Sequence, residues 1–145
     1  MTISRKMLCV VYALIGLAAL AGTWGNNLHY LGLGFTNANV RFWLDTLANP
    51  ASRSITVDVF FFALAATVWL LLEARRLGMR GAWWYVLLSL LVAVSFAFPM
   101  FLIHRERTLA RLDASAPAGS LKPADVLGLL ALALLCFAYA GVSLT

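Results

Sequence analysis

The sequence predicts an all-α integral membrane protein: four transmembrane helices in one bundle, with a short amphipathic interfacial helix between the first and second. Three observations carry this expectation. Hydrophobic residues make up 63% of the 145 positions and charged ones 12%, about half the charged share of a soluble domain. Mean hydropathy is +0.88. Four apolar runs, at about 7–24, 50–72, 82–103 and 124–144, approach the roughly 20 helical residues that a bilayer core requires. The length fits one transmembrane domain over 1–145.

Net charge is +5 and the isoelectric point near 9.8. The basic residues stand beside the apolar runs, which predicts anchoring to lipid headgroups. No basic stripe lies on a soluble face, so nucleic acid is not an expected partner.

The first run follows Arg5-Lys6. With Ala19-Leu20-Ala21 it imitates a secretory signal, but three further spans favour a retained first helix. The connection that follows is long and has its own pattern. Val40, Trp43, Leu44 and Leu47 fall at i, i+3, i+4 and i+7, while Arg41 and Asp45 form an i,i+4 pair. That spacing predicts a helix over about 39–48 lying in the headgroup region.

Asn49 suits an N-cap and Pro50 the first helical position, so the second span starts at 50. Asp58 then lies about 12 Å along its axis. A start near Ser54 would instead put Asp58 in the first turn, where the helix dipole favours a carboxylate. A tight basic link with Arg75, Arg76 and Arg80 leads to Trp83 and Trp84, interfacial residues at the head of the third span. Pro99 predicts a kink in that span by removing a bond to the Ser95 carbonyl. A linker over 114–123, with two prolines and a glycine, leads to the fourth helix.

Four antiparallel spans would gather Trp24, Asn26, Asn27, His29, Asn49, Arg53, Asp58, His104, Arg105 and Glu106 at one end of the bundle. Asp58 is the candidate acid there, because an ionisable group within a span costs several kcal/mol unless it finds a partner. Arg53, His104 and Arg105 are its candidate partners, and Asn49, Trp24 and His29 complete the expected ligand-binding set. The same residues also admit a purely structural ion pair between the second and third helices. The expected topology divides the basic residues five to six between the two sides. The N-inside expectation, in a cell inner membrane, therefore rests on Arg5-Lys6 and the basic link.

Other chemistries find little footing. Cys9 and Cys136 sit in apolar runs without a CxxC pair or metal spacing, so they read as helix-packing residues, and neither metal nor cofactor is expected. No HExxH, Walker loop or GxSxG elbow occurs. The size fits a small multidrug transporter, but the first span carries no acidic residue.

Asn49-Pro50-Ala51-Ser52-Arg53 through Asp58, then Glu73-Ala74-Arg75-Arg76-Leu77-Gly78-Met79, resembles a bacterial family known as domain of unknown function 2834. Phe98-Pro99-Met100-Phe101-Leu102 with Arg105-Glu106-Arg107 fits the same pattern. The resemblance spans about residues 8–109 and leaves the fourth helix outside. It implies a small bacterial membrane protein and no mechanism.

The expected function is therefore non-catalytic: an accessory subunit of a larger membrane complex, or a binder of a lipid or isoprenoid-like molecule at the polar end. A membrane-embedded enzyme using Asp58 as acid or base on an apolar substrate is the first alternative, by analogy with small integral-membrane cyclases. A small proton-coupled transporter is the second.

Overall fold

A computed structural model describes residues 2–113 and 122–144, and the described residues form helices with no strand among them. α1 runs over Ile3–Asn27, and a 3₁₀ segment continues it over Leu28–Leu33. Gly34 then takes φ +75°, a region that glycine enters without steric cost. The chain turns there into α2, Phe35–Thr46.

α2 starts four residues before the expected position, and its inward side also differs. Ala38, Phe42, Asp45 and Thr46 are half-buried, whereas Val40, Trp43, Leu44 and Leu47 are exposed. Phe42 meets Tyr30 edge-on at 5.7 Å, and Trp43 reaches Phe60 at 5.8 Å. The apolar stripe thus points mostly away from the protein.

α3 covers Pro50–Arg76 and starts where the Asn-Pro signal places it. The Asn49 side chain accepts from the Ser52 N–H at 2.9 Å, and Ser52 answers with its hydroxyl, so the start is doubly capped. At the other end Gly78, at φ +63°, closes a Schellman turn: Met79 N–H donates to Ala74 O at 2.8 Å and Gly78 N–H to Arg75 O at 3.1 Å. This stop reverses the chain within a few residues.

The third apolar run does not form one helix. It divides into α4, Ala82–Leu91, and α5, Val94–Leu112, with Ala93 extended between them. The hydroxyl of Tyr85 and Nδ1 of His104 are 2.9 Å apart. One continuous helix would separate these residues by about 28 Å at 1.5 Å per residue, so α4 and α5 make a hairpin. The break precedes Pro99, which lies buried inside α5 rather than marking the bend.

Tertiary contacts explain the break. α5 runs antiparallel along α1, and a Cβ built on Gly16 would stand 3.4 Å from Pro99 Cβ, so the small residue lets the two helices meet. The Trp24 indole donates to Val92 O at 3.3 Å, giving one carbonyl freed at the bend a new partner. Leu70, Ala74 and Phe101 form the core, flanked by Tyr85 and Phe98.

α6, Pro123–Ser143, meets α1 only near its C-terminal end, where Ala140 approaches Gly22 and the Asn26 amide reaches Ser143 Oγ at 3.4 Å. It therefore runs parallel to α1. Three helical stretches are long and apolar enough to cross a membrane: Ile3–Leu33, Pro50–Arg76 and Pro123–Ser143. The expected linker at 114–123 lies outside the described residues apart from Lys122 and Pro123.

The hairpin has a direct consequence for labelling. In a background with Cys9 and Cys136 replaced by alanine, cysteines placed at Arg80 and Leu112 should react with an impermeant maleimide from the same side of sealed membranes. Asn39→Cys should react from the other side. A continuous third span would instead separate positions 80 and 112.

Candidate functional site

The hairpin sends the expected polar set to two ends of the bundle. Trp24, Asn26, Asn27, His29, Asn49, Arg53 and Asp58 remain at the end that carries α2. His104, Arg105 and Glu106 lie at the opposite end, beside the start of α1 and the close of α3. The predicted meeting of Asp58 with His104 or Arg105 does not occur, because the chain reverses at Ala93 and carries both residues away from it.

Asp58 lies on the exposed flank of α3. Among the described residues no ion pair holds it, Arg53 included, and it lines neither of the cavities described below. Depth along a helix was legible from the cap; which face the residue occupied was not.

At the α1-start end, five charged side chains form a chain of alternating sign. Arg5 Nη1 donates to Glu106 Oε2 at 2.6 Å, and Arg105 Nη1 donates to Glu106 Oε1 at 2.8 Å. Arg105 Nε also reaches Glu73 Oε1 at 2.7 Å. Arg76 closes the chain with two donors on Glu73, at 2.6 and 2.7 Å. Arg5, Glu73 and Glu106 are only 5%, 8% and 4% exposed. The Arg105 guanidinium also lies 5.9 Å from the centre of the Trp69 ring. Two carboxylates bridging three guanidiniums satisfy charges that would each be costly to bury alone.

The sequence pattern does not by itself bring these five residues together. In the sequence Arg5 is a flank that orients the first span, and Glu73 stands beside the basic link with no expected partner. The available signal was two glutamates, each close in sequence to an arginine, in a chain with only six acidic residues. The chemistry of the cluster is structural, since every carboxylate oxygen already accepts from a guanidinium.

The α2 end is different: it has space. A cavity of about 380 Å³ opens between the end of α1, the 3₁₀ segment, α2 and the hairpin tip. Trp24, Tyr30, Phe35, Phe42 and Trp43 supply aromatic wall; Asn27 and Asn39 supply polar groups; Leu90, Leu91 and Val92 come from the hairpin tip. A second open hollow of about 310 Å³ lies between α2 and α3, bounded by Trp43, Leu47, Arg53 and Phe60. Of the expected ligand-binding residues, Trp24 lines the first cavity and Arg53 the second. Asn49 is committed to capping α3, and His29 packs edge-on against Tyr30 at 5.4 Å. Among the described residues, no three His, Cys, Asp or Glu side chains gather around a possible metal position.

The sequence model of the family described as Protein of unknown function DUF2834 matches residues 11–107. The chain belongs to this family. The matched segment holds the hairpin up to residue 107, the cavity walls, and all of the ionic chain except Arg5; α6 lies outside it. No curated protein and no solved structure matches the chain.

Removing one member of a buried ion pair typically costs about 3–5 kcal/mol, because the other charge loses its counterion. Glu106→Gln should accordingly lower the thermal unfolding midpoint in detergent substantially. Asp58→Asn, at an exposed site on a span without an ion pair, should not lower it. Equal effects of the two substitutions would contradict the arrangement.

Proposed function

We propose that this DUF2834 member is a non-catalytic membrane protein that binds a lipid or isoprenoid-like amphiphile in the cavity at the α2 end. The cavity itself carries the proposal: a concave, mostly apolar and aromatic wall with a few polar groups is the usual form of a site for such molecules. Its mouth is bordered by exposed Leu31, Phe35, Leu90 and Leu91, the kind of rim an acyl chain would pass.

The distribution of carboxylates favours binding over acid–base chemistry. Glu73 and Glu106 are held in the ionic chain, and Asp45 takes hydrogen bonds from Tyr30 and Arg41 at 2.9 and 3.3 Å. Asp58 lies outside both cavities, so neither an enzyme nor a proton carrier built on it gains support. The accessory-subunit reading draws on α6, whose apolar surface is exposed along most of its length.

Charge supports an orientation. With the hairpin, Arg5, Lys6, Arg75, Arg76, Arg80, Arg105, Arg107, Arg111 and Lys122 belong to the α1-start end, leaving Arg41 and Arg53 at the other. Nine of eleven basic residues then share one side, and the positive-inside rule assigns that side to the cytoplasm. The cavity would open towards the outer leaflet, with the exposed stripe of α2 resting in its headgroup region.

Two measurements test these assignments. Ala38 lines the cavity, so Ala38→Trp should fill it and reduce the lipid retained on purification about tenfold, equivalent to about 1.4 kcal/mol of binding. Unchanged lipid in a folded Ala38→Trp protein would refute the site. For orientation, an impermeant maleimide added to intact cells should label Asn39→Cys and reach Arg80→Cys only after lysis.

A further inference from the structure

The hairpin tip leaves backbone acceptors beside the cavity without a donor among the described residues. In a continuous helix the carbonyls of Ser89, Leu90 and Leu91 would accept from Ala93, Val94 and Ser95. At the break, Ala93 N–H turns back to Leu88 O at 3.3 Å, which also accepts from Val92 at 2.9 Å. Trp24 engages Val92 O. Among the described residues, no donor reaches the carbonyl oxygens of Ser89, Leu90 or Leu91, and Leu90 and Leu91 line the cavity.

Free carbonyls at the C-terminal end of a helix carry negative partial charge, and within a membrane they call for a donor. The rest of the wall adds the amide groups of Asn27 and Asn39 and no cation. Asn39 donates its amide to Phe35 O at 2.8 Å and keeps its side-chain oxygen. Tyr30 points its hydroxyl at Asp45, so a carboxylate stands one hydrogen bond behind the wall. Arg41 is paired with that same Asp45 at 3.1 Å. The Asn27 side chain has no partner among the described residues. This environment suits a positive group rich in N–H donors and disfavours an unaccompanied anion.

We propose that the cavity selects amphiphiles with a primary ammonium headgroup, held by the carbonyls that the α4–α5 break releases. This inference rests on the cavity being a lipid site, and it adds the class of headgroup. The aromatic walls alone would also accept a quaternary ammonium through cation–π contact; the carbonyls need N–H donors and so distinguish the two.

The test uses the full chain in mild detergent with equal amounts of phosphatidylethanolamine and phosphatidylcholine of identical acyl chains, read by native mass spectrometry. The parent should retain phosphatidylethanolamine at least about fivefold over phosphatidylcholine, because charge-assisted hydrogen bonds form only with the former. Asn27→Lys, which places a cation in the wall, should abolish the preference, and Ala38→Trp should reduce retention of both lipids about tenfold. Equal retention of the two lipids, or a preference for phosphatidylcholine, would overturn the headgroup inference while leaving a lipid site if Ala38→Trp still reduces both. A preference for phosphatidylethanolamine that survives Asn27→Lys would also overturn it, since the ammonium would then bind elsewhere. Retention of neither lipid, or retention indifferent to Ala38→Trp, would overturn both readings.

Discussion

The buried Arg5–Glu106 ion pair is the constraint on which the arrangement of this protein depends. It joins the first turns of α1 to the late part of α5, residues 101 positions apart in sequence. Glu106 also meets Arg105, and through Arg105 the pair continues to Glu73 at the close of α3. Three helix ends are therefore tied at one point. A third span that crossed the whole bundle would strand His104, Arg105 and Glu106 at the far end and leave Arg5 and Glu73 without these partners. The hairpin is the geometry that lets all of them pair. Burial makes the preference strong, because a low-dielectric surrounding magnifies both the attraction and the penalty of losing it.

Pairing at one end has consequences at the other. The return of α5 along α1 requires a close approach at Gly16 and a reversal near Val92, where the Trp24 indole supplies a donor. That reversal places the open end of α4 beside Asn27, Phe35 and Asn39, and so builds part of the cavity wall. The charged cluster and the cavity are thus two results of one chain reversal: one end is consumed in ionic contacts, while the other is left open with uncommitted polar groups. Functional interest follows the open end, since groups already satisfied by the protein have little left to offer a ligand.

Asp58 illustrates how a sound physical premise can select a residue without locating its role. A carboxylate in an apolar run is costly where lipid surrounds it, and that remains true of Asp58. The position along α3 was correctly anticipated, because Asn49 and Pro50 are local signals that fix the start of the helix. The expected partners Arg53, His104 and Arg105 do not pair with it, because pairing depends on which helices lie alongside. Glu73 shows the converse. It stands beside a basic link in the sequence, yet packing buries it between Arg76 and Arg105.

Membership of the DUF2834 family, the all-helical character and the long apolar helices were each legible in the amino-acid sequence, because composition, run length and capping residues act locally. The start of α3 belongs to the same category, whereas its end at Arg76 lies beyond the expected 72. The tertiary structure decided what local signals leave open: that the run from Ala82 to Ile103 folds back on itself, which charges meet, and where a cavity remains. An apolar stretch of that length satisfies its backbone almost equally as one helix or as two shorter ones with a few freed groups. Contacts distant in sequence, above all Arg5 with Glu106 and Trp24 with Val92, tip that balance, and no pattern within the run itself encodes them.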